Sequence, residues 1–283
     1  MHDELKAEAI WRFAGYGFLI LVTMFMLVPI YWLLVASTLP ESAIIASAGS
    51  GLPRLIPGTH FLENARTLAA RPDVDFYLSI FNSVLIAVVY TGLALIFCSM
   101  AGFAFAKYDF RFKEPLFLGI LATLIIPINL LVVPLFLLVS NIGLANSYWA
   151  VILPWAAYPI GIFFMRQSMQ SIPDSLLEAA RMDGASEFQL YYRVALPTMK
   201  SSMAALAVIL FLFQWNLFLW PLVVLQQEKF TIPVAITKIM GQEQIAYDQL
   251  LIAAVLAIVP MFVVFLALQR HFVRGILAGA VKE

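Results

Sequence analysis

The sequence predicts an all-α fold: a polytopic membrane protein with six transmembrane helices. Three observations carry this. Of its 283 residues 63% are hydrophobic, with mean hydropathy +0.92, where soluble domains hold roughly 45–50% apolar residues. Only 12% are charged, about half the usual share. The charges also cluster, leaving uninterrupted apolar runs of the about 20 residues that a helix needs to cross a bilayer.

The first run is charge-free from Phe13 to Pro40 and follows Lys6 and Arg12. It exceeds the roughly 7–15 apolar residues of a secretory leader, and no small-x-small cleavage pattern closes it. It therefore reads as an uncleaved span over 13–36 behind a short amino-terminal segment, 1–12. Further runs extend from Phe76 to Ala106, Pro115 to Met165, Ser201 to Gln227 and Gln249 to Gln269. The run from Pro115 holds 51 residues, enough for two crossings, and SNIGLANS (Ser140 to Ser147) supplies the turn. The six spans leave a soluble segment at 37–75 and a core at 76–269. That core carries connections at 171–197 and 226–248, and a tail at 270–283 follows it. With the amino terminus inside, twelve of the 17 Lys and Arg face inward and five outward, so the positive-inside rule predicts both termini in the cytoplasm.

Composition also excludes functions. Lys plus Arg and Asp plus Glu balance at 17 each, which gives nucleic acid no electrostatic footprint. The lone Cys98 and scattered His2, His60 and His271 have no metal-ligand spacing. No cluster of acid, base and nucleophile points to catalysis, so no catalytic residue is assigned. No G-x-x-x-x-G-K-[ST] phosphate loop is present, so the chain holds no nucleotide cofactor of its own. The spans contain no Asp, Glu, Lys, Arg or His. This weighs against an ion-coupled secondary transporter, the alternative from another class, because such proteins keep an ionisable group in the membrane.

The polar connection SIPDSLLEAARMDGASEFQLYYRVALP is the most informative stretch. Pro173 and Asp174 suit a first helical turn, predicting a helix from near Ile172. Gly184 would close it near Asp183. Ser186 and Gln189 have capping-box spacing and open a second short helix. Leu176, Ala179, Ala180 and Asp183 share one face of the first. Phe188, Tyr191 and Tyr192 give the second an aromatic surface. Such a knob suits a groove on another protein, or an amphipathic helix lying at the lipid interface.

Glu178-Ala179-Ala180, three residues, Gly184, nine residues, an aliphatic residue (Val194, where isoleucine is usual), one residue, then Leu196-Pro197 resembles the cytoplasmic-loop signature of membrane subunits of ATP-binding-cassette importers. QWNLFLWP (Gln214 to Pro221), QRHFVRG and the ending GAVKE are similar to the maltose-type carbohydrate branch. LIPGTHFLEN (Leu55 to Asn64) also resembles the glycerol-phosphate permease of that branch. The resemblance implies a type I importer permease fold in which the 171–197 loop is a coupling helix docked on an ATPase. Glu178, Ala179, Ala180, Asp183, Gly184, Leu196 and Pro197 are then the ATPase-coupling residues. It further implies a homologous second permease subunit, an ATPase dimer that binds ATP and Mg, and an extracytoplasmic solute-binding protein touching 226–248. The tail near Gly279 to Glu283 would reach the ATPases.

Polar groups within hydrocarbon either join helices or line a wet path. Asn129 between Pro127 and Pro134, Tyr158 beside Pro159, and Gln214, Trp215 and Asn216 in the fifth span are the candidates for a substrate path. Amides with aromatic faces suit a polyhydroxylated ligand. The charge-free spans favour a neutral sugar over an anionic polyol derivative such as glycerol phosphate or an acidic sugar, which is the alternative. Asn82, Cys98 and Ser99 read as packing.

Overall fold

The structure, a computed structural model, describes the backbone of residues 2–280 and the side chains of 11–267 and Gln269. Among the described residues every regular element is helical. The expectation for the tail end at Gly279 to Glu283 falls where the side chains, and from residue 281 the backbone too, lie outside the described residues. The chain forms two compact units, residues 1–72 with 236–258, and residues 73–235 with 259–283.

The first unit begins with α1 (His2–Ala36), whose apolar part from Trp11 to Ala36 is long enough to span a membrane. Ser37 Oγ and Thr38 Oγ1 donate to Leu34 O and Val35 O and close its last turn. The 37–75 segment then folds into α2 (Glu41–Ser50) and α3 (Phe61–Ala69). Buried Asn64 staples this segment back on itself, donating to Ser37 O and Leu39 O at 2.9 and 3.0 Å.

The second unit is built on α4 (Phe76–Lys107), opened by Asp75, whose carboxylate accepts from Leu78 N at 2.9 Å. Next comes α5 (Lys113–Ala122), a break at Ile126–Pro127, and α6 (Val132–Asn141); the two halves of this span meet at 91°. Pro127 donates no hydrogen bond and pushes Ile126 into extended backbone (ψ 117°), so the helix cannot run on. A similar break before Pro159 bends α7 (Tyr148–Ile152) from α8 (Pro159–Gln170), the halves of this span lying at 45°. The polar connection holds α9 (Asp174–Met182), α10 (Glu187–Gln189), a π-helical turn at Leu190–Ala195 and α11 (Leu196–Thr198). After it run α12 (Lys200–Trp215) and α13 (Leu219–Val224). Finally α14 (Ile232–Met240) and α15 (Tyr247–Ala280) lie across the boundaries between the units in sequence.

Three unbroken spans plus three bent pairs make six crossings when each pair counts once, the third pair being Glu187–Thr198 of the polar connection with Lys200–Trp215, bent by 84°. The fifth differs from its expected course from Ser201 to Gln227. Its helix stops at Trp215, where Asn216 Nδ2 bonds Leu212 O at 2.7 Å and the backbone turns before α13. Gln214 and Asn216 therefore sit at a helix end rather than mid-helix.

Glycines set the closest packing in this unit. A Cβ on Gly102 of α4 would lie 2.5 Å from Met165 Cβ, and one on Gly161 of α8 would lie 2.7 Å from Cys98 Sγ. Small residues let these helices approach where lipid provides no hydrophobic drive for association. Cys98 is accordingly a buried packing residue.

Candidate functional site

The polar connection folds as a compact knob. Its first helix begins at Asp174 with Pro173 as the N-cap, two residues later than expected, because Pro173 keeps extended backbone (ψ 133°). Gly184 follows the C-cap with φ +85°, the left-handed conformation that a glycine adopts without strain. Both halves of the capping box form: Gln189 N donates to Ser186 Oγ and Ser186 N to Gln189 Oε1.

Leu177 turns into the core, leaving Leu176, Glu178, Ala179, Asp183 and Gly184 exposed, with Ala180 half-buried. Leu196 is half-buried and Pro197 exposed. The aromatic surface is smaller than the spacing suggested. Phe188 is 62% exposed, but Tyr191 is only 7% exposed and pairs its hydroxyl with Ser99 Oγ at 2.7 Å. The π-helical turn shifts its register and directs it inward, a change that 3.6-residue spacing does not anticipate.

Charges tie the knob to the end of α4. Lys107, its side chain 5% exposed, donates to Ile172 O and to Asp174 Oδ1 at 2.7 Å. Tyr108 donates to Glu187 Oε2, and Arg181 grips both oxygens of Glu187 at 2.9 and 3.1 Å. The Lys107 hydrogen bond holds the Asp174 carboxyl below its ordinary range, and hydrogen bonds from Arg181 and then Tyr108 do so for Glu187. Burial, reinforced by the Glu187 acceptor, pushes Tyr108 up to about 12.

A second feature is a cavity of about 700 Å³ formed where spans three and four break and α12 ends. Asn129 and Asn216 line it with an aromatic wall of Trp155, Phe213, Phe218 and Trp220. Trp220 is fixed by its indole N–H, which donates to Ala150 O at 2.9 Å. Among the described residues no charged side chain lines the cavity. Of the five path residues expected from sequence, this brings two together. Tyr158 stands behind the wall, stacked on Phe213 with centroids 4.5 Å apart, and Trp215 stacks on Phe211. Gln214 is 5% exposed, and neither amide atom meets a partner among the described residues. Trp155, Phe213 and Phe218 escaped the sequence reading because they look like any apolar span residue; only proximity to Pro159 and to the Asn216 break marks them.

A multi-pass helical protein with broken spans around a charge-free cavity, and an exposed polar knob between two of those spans, has the architecture of a membrane transport subunit. The chain belongs to the family described as the binding-protein-dependent transport system inner membrane component, whose pattern matches residues 96–278. It is thus an inner-membrane transport permease and not an enzyme. It is 39% identical over 241 residues to the arabinooligosaccharides transport system permease protein AraQ of Halalkalibacterium halodurans, covering 80% of this chain and 86% of that one. It is 33% identical over 265 residues to the sn-glycerol-3-phosphate transport system permease protein UgpE of Salmonella typhi, covering 91% and 93%. Its fold matches a chain of a bacterial ABC transporter involved in the import of the acidic polysaccharide alginate, with TM-score 0.78 at 22% identity over 92% of this chain and 97% of that one.

Proposed function

We propose that the chain is one of two homologous permease subunits of an ATP-driven importer, with both termini cytoplasmic, and that it passes a neutral sugar or sugar-like polyol. A solute-binding protein delivers the substrate at 226–248. A separate ATPase dimer, which binds ATP and Mg, drives the cycle through 171–197. The knob carries this reading: its exposed face presents Glu178, Ala179, Asp183 and Gly184 with Phe188 beside them. An apolar and acidic face on a short capped helix suits insertion in a protein cleft. The substrate class is supported by the cavity, where two amides and four aromatic rings stand without a charge. Hydroxyls take hydrogen bonds from the amides, and apolar sugar faces stack on the rings. Similarity to the UgpE permease favours a second reading, an anionic polyol derivative, whose charge the companion subunit would have to meet.

The test is ATP-dependent uptake into proteoliposomes holding the assembled complex, with a labelled neutral oligosaccharide against glycerol phosphate. Uptake of the oligosaccharide supports the first reading, and preference for the phosphate ester the second. Solute movement by this chain alone down an ion gradient would replace both with a secondary transporter.

A further inference from the structure

Among the described residues, α4 is the one candidate span with neither a proline nor a break. Pro29 lies in α1 and Pro260 in α15, and the other three spans are bent pairs. Its 32 residues cover about 48 Å.

Each end of α4 is fastened to a segment between spans. Near its start, fully buried Asn82 donates to Glu228 O and Phe230 O at 3.1 and 3.2 Å and accepts from Tyr148 Oη at 2.7 Å. Its neighbour Ser83 accepts from Ile232 N at 2.7 Å. These bonds hold the 226–232 stretch where it enters α14. At the far end Lys107 and Tyr108 hold Ile172, Asp174 and Glu187, and Ser99 holds Tyr191, as described above. Between the fastenings, the Gly102–Met165 and Gly161–Cys98 contacts lock α4 against α8 without room to slide. A displacement of the 171–197 knob therefore has no proline hinge, break or slip plane in α4 to absorb it.

We propose that α4 is a strut carrying movement of the knob to the 226–232 segment about 38 Å away, with Lys107 and Tyr108 as positioning residues at one end and Asn82 and Ser83 at the other. The proposal rests on the permease reading, in which an ATPase holds the first segment and a binding protein touches the second. Coupling between two such sites is reciprocal, so the binding protein would stimulate the ATPase through the same helix.

The experiment uses the assembled transporter in proteoliposomes. The probe is the cognate binding protein loaded with whichever neutral oligosaccharide raises its melting temperature most. ATPase rate is measured without and with saturating binding protein for Lys107→Met, Tyr108→Phe, Asn82→Ser, Ser83→Ala and the pair Lys107→Met with Ser83→Ala. Basal rates should stay near wild type, while stimulation falls about fivefold for loss of either end. The pair should lose little more than the worse single variant, because one open fastening already disconnects the strut. Multiplying losses in the pair, or an outer-end loss that saturating binding protein restores, would overturn the proposal. So would basal and stimulated rates falling together with the melting temperature of the complex, which marks a merely structural role. Should Asn82→Ser fail to assemble, Ser83→Ala carries the outer arm. Stimulation absent in wild type refutes the permease reading; normal stimulation in wild type and all variants refutes the strut alone.

Discussion

Gly184 offers the sharpest test of the knob. Its φ of +85° lies where side-chain-bearing residues are strained, yet no heavy atom stands within 4 Å of an added Cβ. A substitution is therefore opposed by backbone conformation alone, which costs about 1–2 kcal/mol for an ordinary residue and most for a β-branched one. That energy shifts the equilibrium between the closed turn and an opened one by roughly 5- to 30-fold. The closed turn is held by Gly184 N to Arg181 O and Ala185 N to Ala180 O, both 3.0 Å. Opening it would detach α9 from the capping box at Ser186. Gly184→Val should thus abolish most binding-protein-stimulated ATPase and uptake in the purified complex while the chain still inserts and assembles. Gly184→Asn should retain most of both, since Asn tolerates the left-handed region. Wild-type coupling in the Val variant would refute the docking assignment. An Asn variant as impaired as the Val variant would refute the conformational explanation and place a partner surface against this Cα.

Gly102→Ala should lower the melting temperature of the complex by several degrees, because its Cβ would meet Met165 Cβ at 2.5 Å and Arg166 N at 2.8 Å and overpacking costs about 1–3 kcal/mol. Gly92→Ala, on the same helix with nothing within 4 Å, should be neutral or slightly stabilising. Asn129→Ala with Asn216→Ala should raise the KM for uptake at least severalfold while the complex purifies normally; unchanged kinetics would assign both amides to packing. The ratio of stimulated to basal ATPase should stay flat between about pH 6 and 8. Asp174 and Glu187 have lowered folded pKa values, so their contribution is complete above the ordinary carboxylate value of about 4 and is lost only as pH falls through the lowered one. Tyr108, raised to about 12, keeps its donating proton throughout. An inflection within that window would show that another group controls coupling.

What could be read beforehand divides along a physical line. Span count, the helix end at Gly184 and the capping box at Ser186 depend on neighbours within a few residues, so composition and spacing expose them. The inward turn of Tyr191 depends on a π-helical register and on Ser99, 92 residues away in sequence, and no local pattern contains it. The same holds for the cavity. Asn129 and Asn216 were visible as polar residues in apolar runs, but Gln214 and Tyr158 satisfied the same criterion and stand elsewhere. Only the breaks at Pro127 and Asn216 decide which side chains meet. Asn82 shows the limit most clearly: as one amide in an apolar run it reads as packing. Its bonds to Glu228 and Phe230, reached across 146 and 148 residues, make it the point where a straight helix takes hold of a segment between spans.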